Sequence, residues 1–564
     1  MPWLRTVAVE QVHTTECKFL NVMIKKVLFT ALIISGIVSS AYANNLELKN
    51  LDVVSTNTSA NTMTFKLDLS QANSWRNLTA HDAAWIFVKY STDAGRTWHH
   101  ASLAGSGVGP AGYSAPAGFE IAVSADQKGF FFRRGGTSSG PVDAKGIGFV
   151  WNYGQDGLGD DVAQAANTLM RVYGLEMVSI PEGAFFAGDG ASSSEARFKQ
   201  ASADDQPWYV MTENAITTTS AASGGYYYQG SGAPGENASG DIFLLPNSFP
   251  KGYRAFYLMK YELTEGEWVA FFNTLTPEAK VNHDITGAVD GGKNSDGIVD
   301  RNTISWDSSN PLLPASTARP ARAMSYVSWP DAAAYADWAG LRPMTELEYE
   351  KAARGVDVRP VADEFAWGTT SYSAAASEGI YPLAQDENGS EVIFDGAANL
   401  NRNALGWSSG DGRAGGPADG QKGPLRVGIF AENSTNRATS GAGYYGGMEL
   451  SGNLSEPAVT VGRPEGRQFL GTHGDGELST VSGYEGQATN TDWPGINTQD
   501  TRRGVTNTVG IGYRGGDYAA GNIRYFQVSS RAFAAKDPDS VGKSRRYDPS
   551  AGVISGARFA RTAP

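Results

Sequence analysis

The stretch "GGMELSGNLSEP" at 446–457 sets two carboxylates, Glu449 and Glu456, seven positions apart among Gly, Ser, Asn and Pro. That composition does not sustain a regular helix. Three readings are open: an acid/base pair, a clamp for a hard cation, or two solvated turn residues. A glycosidase-like pair needs carboxylates facing each other across a cleft, which two residues of one turn supply poorly. A hard divalent cation wants roughly six to eight oxygens, and a Gly-containing turn can offer main-chain carbonyls between flanking carboxylates.

A second constellation is His473 in "GTHGDGE", with Asp475 and Glu477 beside it. Acidic neighbours would raise the imidazole pKa and suit it to proton transfer, whereas a lone loop histidine is more often only exposed or hydrogen-bonded. Arg531 in "SSRAF" and Arg558 in "GARFART" are expected to hold the fold by pairing with buried carbonyls or carboxylates. The chain has six histidines, and the adjacent pair His99 and His100 would point to opposite faces of a strand and so not share an ion.

Cys17 is the only cysteine among 564 residues. Downstream of it, Lys25 and Lys26 precede an apolar stretch from Val27 to Val38, followed by Ala41-Tyr42-Ala43. This reads as a secretory signal peptide over 23–43, with 1–22 an upstream extension or misassigned start. The expected location is the periplasm, cell surface or exterior. A processed chain from Asn44 would contain no thiol, which excludes disulfides, thiolate catalysis and thiolate metal sites. No transmembrane segment is expected in it. A net charge of −13 without a basic run argues against nucleic acid as a partner.

These residues must be positioned by two regions with different grammar. Over 44–174, short segments such as "MTFKLDL", "AAWIFVKYST", "GFEIAV", "GFFFRR" and "GIGFVWNY" alternate with Gly/Ser/Pro turns, which predicts an all-β sandwich of immunoglobulin or fibronectin type. Over 175–564 the chain is rich in loops and glycine, and three capping boxes open helices at Thr264, Ser328 and Thr345. Trp268, Phe271, Phe272 and Leu275 make one buried helical face. The fold class expected is α+β. "VDGGKNSDGIVD" at 289–300 lacks the pattern of an EF-hand loop and reads as a solvated insertion.

The ordered blocks "LEMVSIPEGAFFAGDG", "FYLMKYELTEGEWVAFFNTL", "RAMSYVSWPDAAAYADWAGLRPMTELEYEKAARG", "FAWGTT", "YYGGMELSGNLSEPAVTVG", "GYRGGDY" and "SGARFART" resemble the sulfatase-modifying-factor, or formylglycine-generating-enzyme-like, family over 175–564. The resemblance implies an irregular domain related to C-type lectins. It also implies structural calcium: Glu449, the Gly452 and Leu454 carbonyls and Glu456 at one site, and Asn399, Leu400, Asp419 and Gln421 at a second.

The family's enzyme holds copper on two cysteines placed shortly after the block resembling "RGGDY". Here Ala520 and Tyr525 fall at or near those positions, so no copper is expected, since soft thiolates are what stabilise Cu(I). The tryptophans that follow the Gly-Asn pair in relatives are replaced by "LSEPAV". The expected function is that of a pseudoenzyme: a calcium-stabilised, non-catalytic binding or scaffolding protein whose partner is an extracytoplasmic protein, peptide or glycan. The alternative is a cysteine-independent modifying enzyme resembling the periplasmic pyoverdine-maturation branch, with His473, Asp475 and Arg531 as its candidate catalytic residues.

Overall fold

The computed structural model describes residues 46–190, 196–202, 206–220, 224–373, 400, 423–431, 434, 436–535 and 553–564. The segment 23–43 and residues Asn399, Asp419 and Gln421 lie outside them. Among the described residues, no helix is long and apolar enough to cross a membrane.

The chain begins as β1 (Glu47–Asn57), β2 (Thr62–Arg76) and β3 (Asp82–Ser91), then short β4 (His99–His100) and β5 (Gly107–Val108), β6 (Phe119–Val123), β7 (Phe130–Arg134), β8 (Ser138–Trp151) and β9 (Leu169–Ile180). Small strands follow: β10 (Phe185–Ala187) pairs with β11 (Trp208–Val210), and β12 (Ile216–Thr219) lies between β13 (Tyr226–Tyr227) and β14 (Leu244–Leu245). Then come β15 (Phe256–Met259), β16 (Arg342–Pro343), β17 (Glu456–Val459), β18 (Ile511–Arg514) and β19 (Phe559–Thr562).

One sheet organises the molecule, in the order β16-β19-β15-β9-β3-β7-β6-β5. A three-stranded sheet β1-β2-β8 covers one face of its first-formed half. The boundary expected at 174/175 therefore falls inside β9, which pairs with β3 on one side and β15 on the other. The N-terminal segments do build two layers, but one layer is continuous with the sheet of the following region.

The physical reason lies in β3, every residue of which is buried. Side chains alternate across a strand. Ala84, Ile86, Val88 and Tyr90 enter the core shared with β2 and β8. Ala83, Trp85 and Phe87 enter a different core, with Tyr257, Trp338 and Phe559 from the later region. A run apolar on both faces is what a strand between two cores requires. Trp85 also donates its indole N–H to the Ala339 carbonyl at 2.9 Å.

The capped helices form as their sequences predict: α1 (Glu265–Phe272), α3 (Trp329–Trp338) and α4 (Glu346–Arg354) each carry a reciprocal capping box, from Thr264, Ser328 and Thr345. A shorter α2 (Pro277–Asn282) is capped by Thr276. The 289–300 segment is solvent-accessible apart from buried Lys293, as expected, and it is also tied to the body: Asp296 accepts the Trp306 N–H at 3.0 Å and Asp300 accepts the Tyr326 hydroxyl at 2.8 Å.

Candidate functional site

The turn from Gly446 into β17 is held by backbone conformations that L side chains rarely adopt, with positive φ at Glu449 (55°), Gly452 (98°) and Asn453 (66°). β17 then pairs with β18, from Glu456↔Arg514 to Val459↔Ile511, which fixes where Glu456 points.

Both carboxylates are buried, so the solvated-turn reading does not hold. Glu449 accepts the Gly428 N–H on Oε1 at 2.8 Å, and Glu456 accepts Arg558 Nε on Oε1 at 2.7 Å. Their Oε2 atoms are buried without a hydrogen-bond partner. Burial pushes each carboxyl up to about 7, against the opposing pull of Arg558.

A third carboxylate, Glu262, joins them. It accepts the Leu454 N–H at 2.9 Å and the Asn453 side-chain amide, and burial together with Glu456 and Glu449 drives its pKa well above the usual carboxylate range. Arg558 also donates to the Met259 and Lys260 carbonyls at 2.8 and 3.0 Å and to that of Met448, which leaves it shared among many acceptors.

Two orphaned carboxylate oxygens beside a concentration of buried negative charge suit a hard divalent cation. The Gly452 and Leu454 carbonyls accept no hydrogen bond from the described residues and remain open as further oxygen donors. Among the described residues, no three acidic, histidine or cysteine side chains converge as a ready-made metal cage. The donor set at this turn is thus two carboxylates supplemented by main-chain carbonyls. Of the second expected set only Leu400 is described, buried against Phe365, Trp367 and Phe526.

Ala520, at the position expected for a copper cysteine, belongs to that same apolar cluster, and Tyr525 packs against its edge. Hydrocarbon fills this place.

His473, Asp475 and Arg531 are not brought together. His473 Nε2 accepts the Thr562 N–H at 3.0 Å, and its Nδ1 lies 3.4 Å from Asp126. Its pKa moves opposite to the expectation. Burial lowers it to about 4, aided by Arg561 and Arg342, and the attraction of Asp126 does not compensate. Asp475 caps its own loop, accepting the Glu477 N–H, while its main-chain N–H donates to Asp337.

Arg531 stands elsewhere, donating to Glu346 at 2.7 and 3.1 Å and to the Gln229 carbonyl at 3.0 Å. Arg514 bridges Glu346 and Glu350, and Arg354 pairs with Glu350 and Glu364. Three guanidinium groups meet three carboxylates in this buried network, so it is balanced and structural. Arg531 and Arg558 thus pair with buried carbonyls and carboxylates as their sequence context predicts. His99 is partly exposed and His100 buried, on opposite faces of β4.

Glu262 is the site residue that sequence reasoning misses. A signal existed in "LMKYELTEGEW", where one acid interrupts an apolar run just before a helix cap.

Residues 211–408 match the family model described as the Sulfatase-modifying factor enzyme 1-like domain. A curated relative, the formylglycine-generating enzyme of Streptomyces coelicolor (strain ATCC BAA-471 / A3(2) / M145), is 50% identical over 52 residues, 9% of this chain. The match spans 16% of that relative's length. The matched family segment contains helices α1 to α4 and Glu262 and stops short of the turn at 449–456. The chain carries a domain of the sulfatase-modifying factor family over residues 211–408.

Proposed function

We propose that this chain is an exported, calcium-stabilised protein that uses a sulfatase-modifying-factor domain for binding or scaffolding rather than for copper-dependent oxidation. The single observation that carries the reading is at Ala520, where an apolar cluster stands in place of a thiolate, in a chain whose only cysteine is Cys17. A Cu(I) centre needs soft sulfur donors, and Ala520 and Tyr525 supply none.

Calcium, when bound, would neutralise charge that Arg558 alone does not balance. Glu449 and Glu456 would hold it through their unpartnered oxygens, with the Gly452 and Leu454 carbonyls beside them. Glu262 would orient the turn through Leu454 and Asn453 rather than face the ion. The partner we favour is an extracytoplasmic protein, peptide or glycan.

The test has two arms on the purified, processed protein. Incubation of copper-loaded protein with a cysteine-bearing sulfatase peptide, followed by capture of aldehydes with a hydrazide, should give no labelled peptide. Pull-down from surface polymers and envelope proteins in calcium should enrich a defined partner. An aldehyde product sinks the non-catalytic reading, and failure to enrich any partner with or without calcium counts against binding.

A further inference from the structure

A cavity of about 830 Å³ opens between the two halves of the molecule, within the size range of small-molecule sites. Its walls come from the loop at Ala94–Arg96, the start of β9, helix α1 and the proline-rich segment 311–320. It is remote in sequence from the turn at 449–456 and does not depend on the calcium reading.

The charge on its wall runs against that of the whole chain. Lys and Arg number 46 against 59 Asp and Glu, yet Arg96, Arg171 and Lys280 line the cavity and no carboxylate does. None of the three forms an ion pair with a described residue. Two acids close to the lining in sequence are engaged with other groups. Asp93 accepts the main-chain N–H groups of Arg96 and Thr97, and Glu265 is taken up by Thr303 and Thr317.

Two of the cations, Arg171 and Lys280, are held in place, while the Arg96 side chain is exposed. Arg171 lies over the Trp98 ring at 4.1 Å and hydrogen-bonds the Tyr173 side chain, which together hold the guanidinium plane at the cavity wall. Lys280 is only 6% exposed, and its ammonium sits at 3.3 and 3.4 Å from the Pro311 and Leu313 carbonyls, long contacts for a group with three donors. The rest of the lining includes an apolar surface from Val269 and Ala270 of α1, Leu275 and the rigid rings of Pro311 and Pro314.

We propose that this cavity binds a small organic anion. A carboxylate, phosphate or sulfate group is held by Arg96, Arg171 and Lys280, and an apolar body rests against α1 and the proline-rich segment. Cations without carboxylate partners beside preformed hydrocarbon are the complement of such an amphiphilic ligand.

The experiment uses the full chain and two fluorescent probes of the same skeleton: 1-anilinonaphthalene-8-sulfonate, and N-phenyl-1-naphthylamine, which lacks the sulfonate. The sulfonate should bind saturably at one site. Arg96→Gln and Arg171→Gln should each weaken it about tenfold, the factor that goes with about 1.4 kcal/mol, and Arg171→Lys should recover part of the loss. The neutral probe should bind more weakly and respond little to these changes. Lys145→Gln, on the exposed surface of β8, serves as the charge-loss control, and near-UV circular dichroism confirms that each variant is folded.

Phenylphosphonate and phenylacetate should displace the sulfonate, and the stronger competitor assigns the anionic group. The proposal is overturned if both arginine variants bind the sulfonate as the Lys145→Gln protein does. It is equally overturned if neither competitor displaces the probe, or if the neutral probe matches the sulfonate in affinity.

Discussion

Because β9 is shared, the segment 175–564 should not fold when produced alone. Cutting at 174/175 removes Trp85, Phe87 and Phe131, all fully buried in the core that also contains Tyr257, Trp338 and Phe559. Each large apolar side chain contributes about 2–3 kcal/mol by its burial, so the three account for roughly 6–9 kcal/mol, comparable to the whole stability of a typical domain. The cut also strips β9 of the β3 ladder, which runs from Asp82↔Val178 to Ser91↔Leu169. It leaves buried Lys260 without Asp82, 3.6 Å away, and Tyr257 without the 2.6 Å bond from Arg133. The assay compares the full chain with the 175–564 fragment by near-UV circular dichroism and urea titration. We expect a single cooperative transition in the full chain and none in the fragment. A fragment with a native-like aromatic spectrum and a melting temperature within a few degrees of the full chain would refute the reasoning.

Added calcium should raise the melting temperature of the full chain, and excess chelator should reverse it. Glu456→Gln should blunt that response, and an unchanged midpoint in calcium would argue against the site. Replacing Arg558 by Met, which leaves Glu456 buried without its cation, should cost roughly 3–5 kcal/mol in a urea titration; a loss under 1 kcal/mol would mean the pair is dispensable. His473 has a folded pKa near 4, below its unfolded value of 6.5, so it contributes stability above pH 6.5 that is lost as pH falls towards 4. The full shift corresponds to about 3 kcal/mol, and with 21% of the side chain exposed we expect about half of that. In His473→Gln the drop in unfolding free energy between pH 6.5 and 4 should be smaller by this amount, and parallel curves for the two proteins would contradict it. Gly512→Ala should destabilise strongly, because an added Cβ would lie 1.9 Å from the Ala534 carbonyl oxygen; a stable variant would show that this β18 contact can give way.

Local signals carried much of the fold. The three capping boxes marked the starts of α1, α3 and α4 because the first turn of a helix is satisfied by its own neighbours, a relation visible in sequence. The partition of the chain was not visible in the same way. "AAWIFVKYS" is apolar at consecutive positions, and periodicity alone does not say which neighbours cover the second face. At the candidate site, Glu449 and Glu456 were legible as a pair in one turn. Their burial was not, because it depends on Glu262, Gly428 and Arg558, far apart in the chain. His473 shows the same limit. Its acidic sequence neighbours suggested a raised pKa, while the groups that matter in space are Arg561, Arg342 and Asp126.

The placement of β19 means that the central sheet is completed only by the C-terminal end of the described chain. It enters the sheet between β15 and β16, and its Arg561 is paired with Tyr257, about 300 residues earlier. The β-rich half can wrap its own core as it leaves the ribosome, yet the opposite side of β3 is completed only when α3 brings Trp338 against Phe87 and β19 brings Arg561 over Trp85. Until then the nascent polypeptide presents a sticky aromatic face, which a holdase would shield.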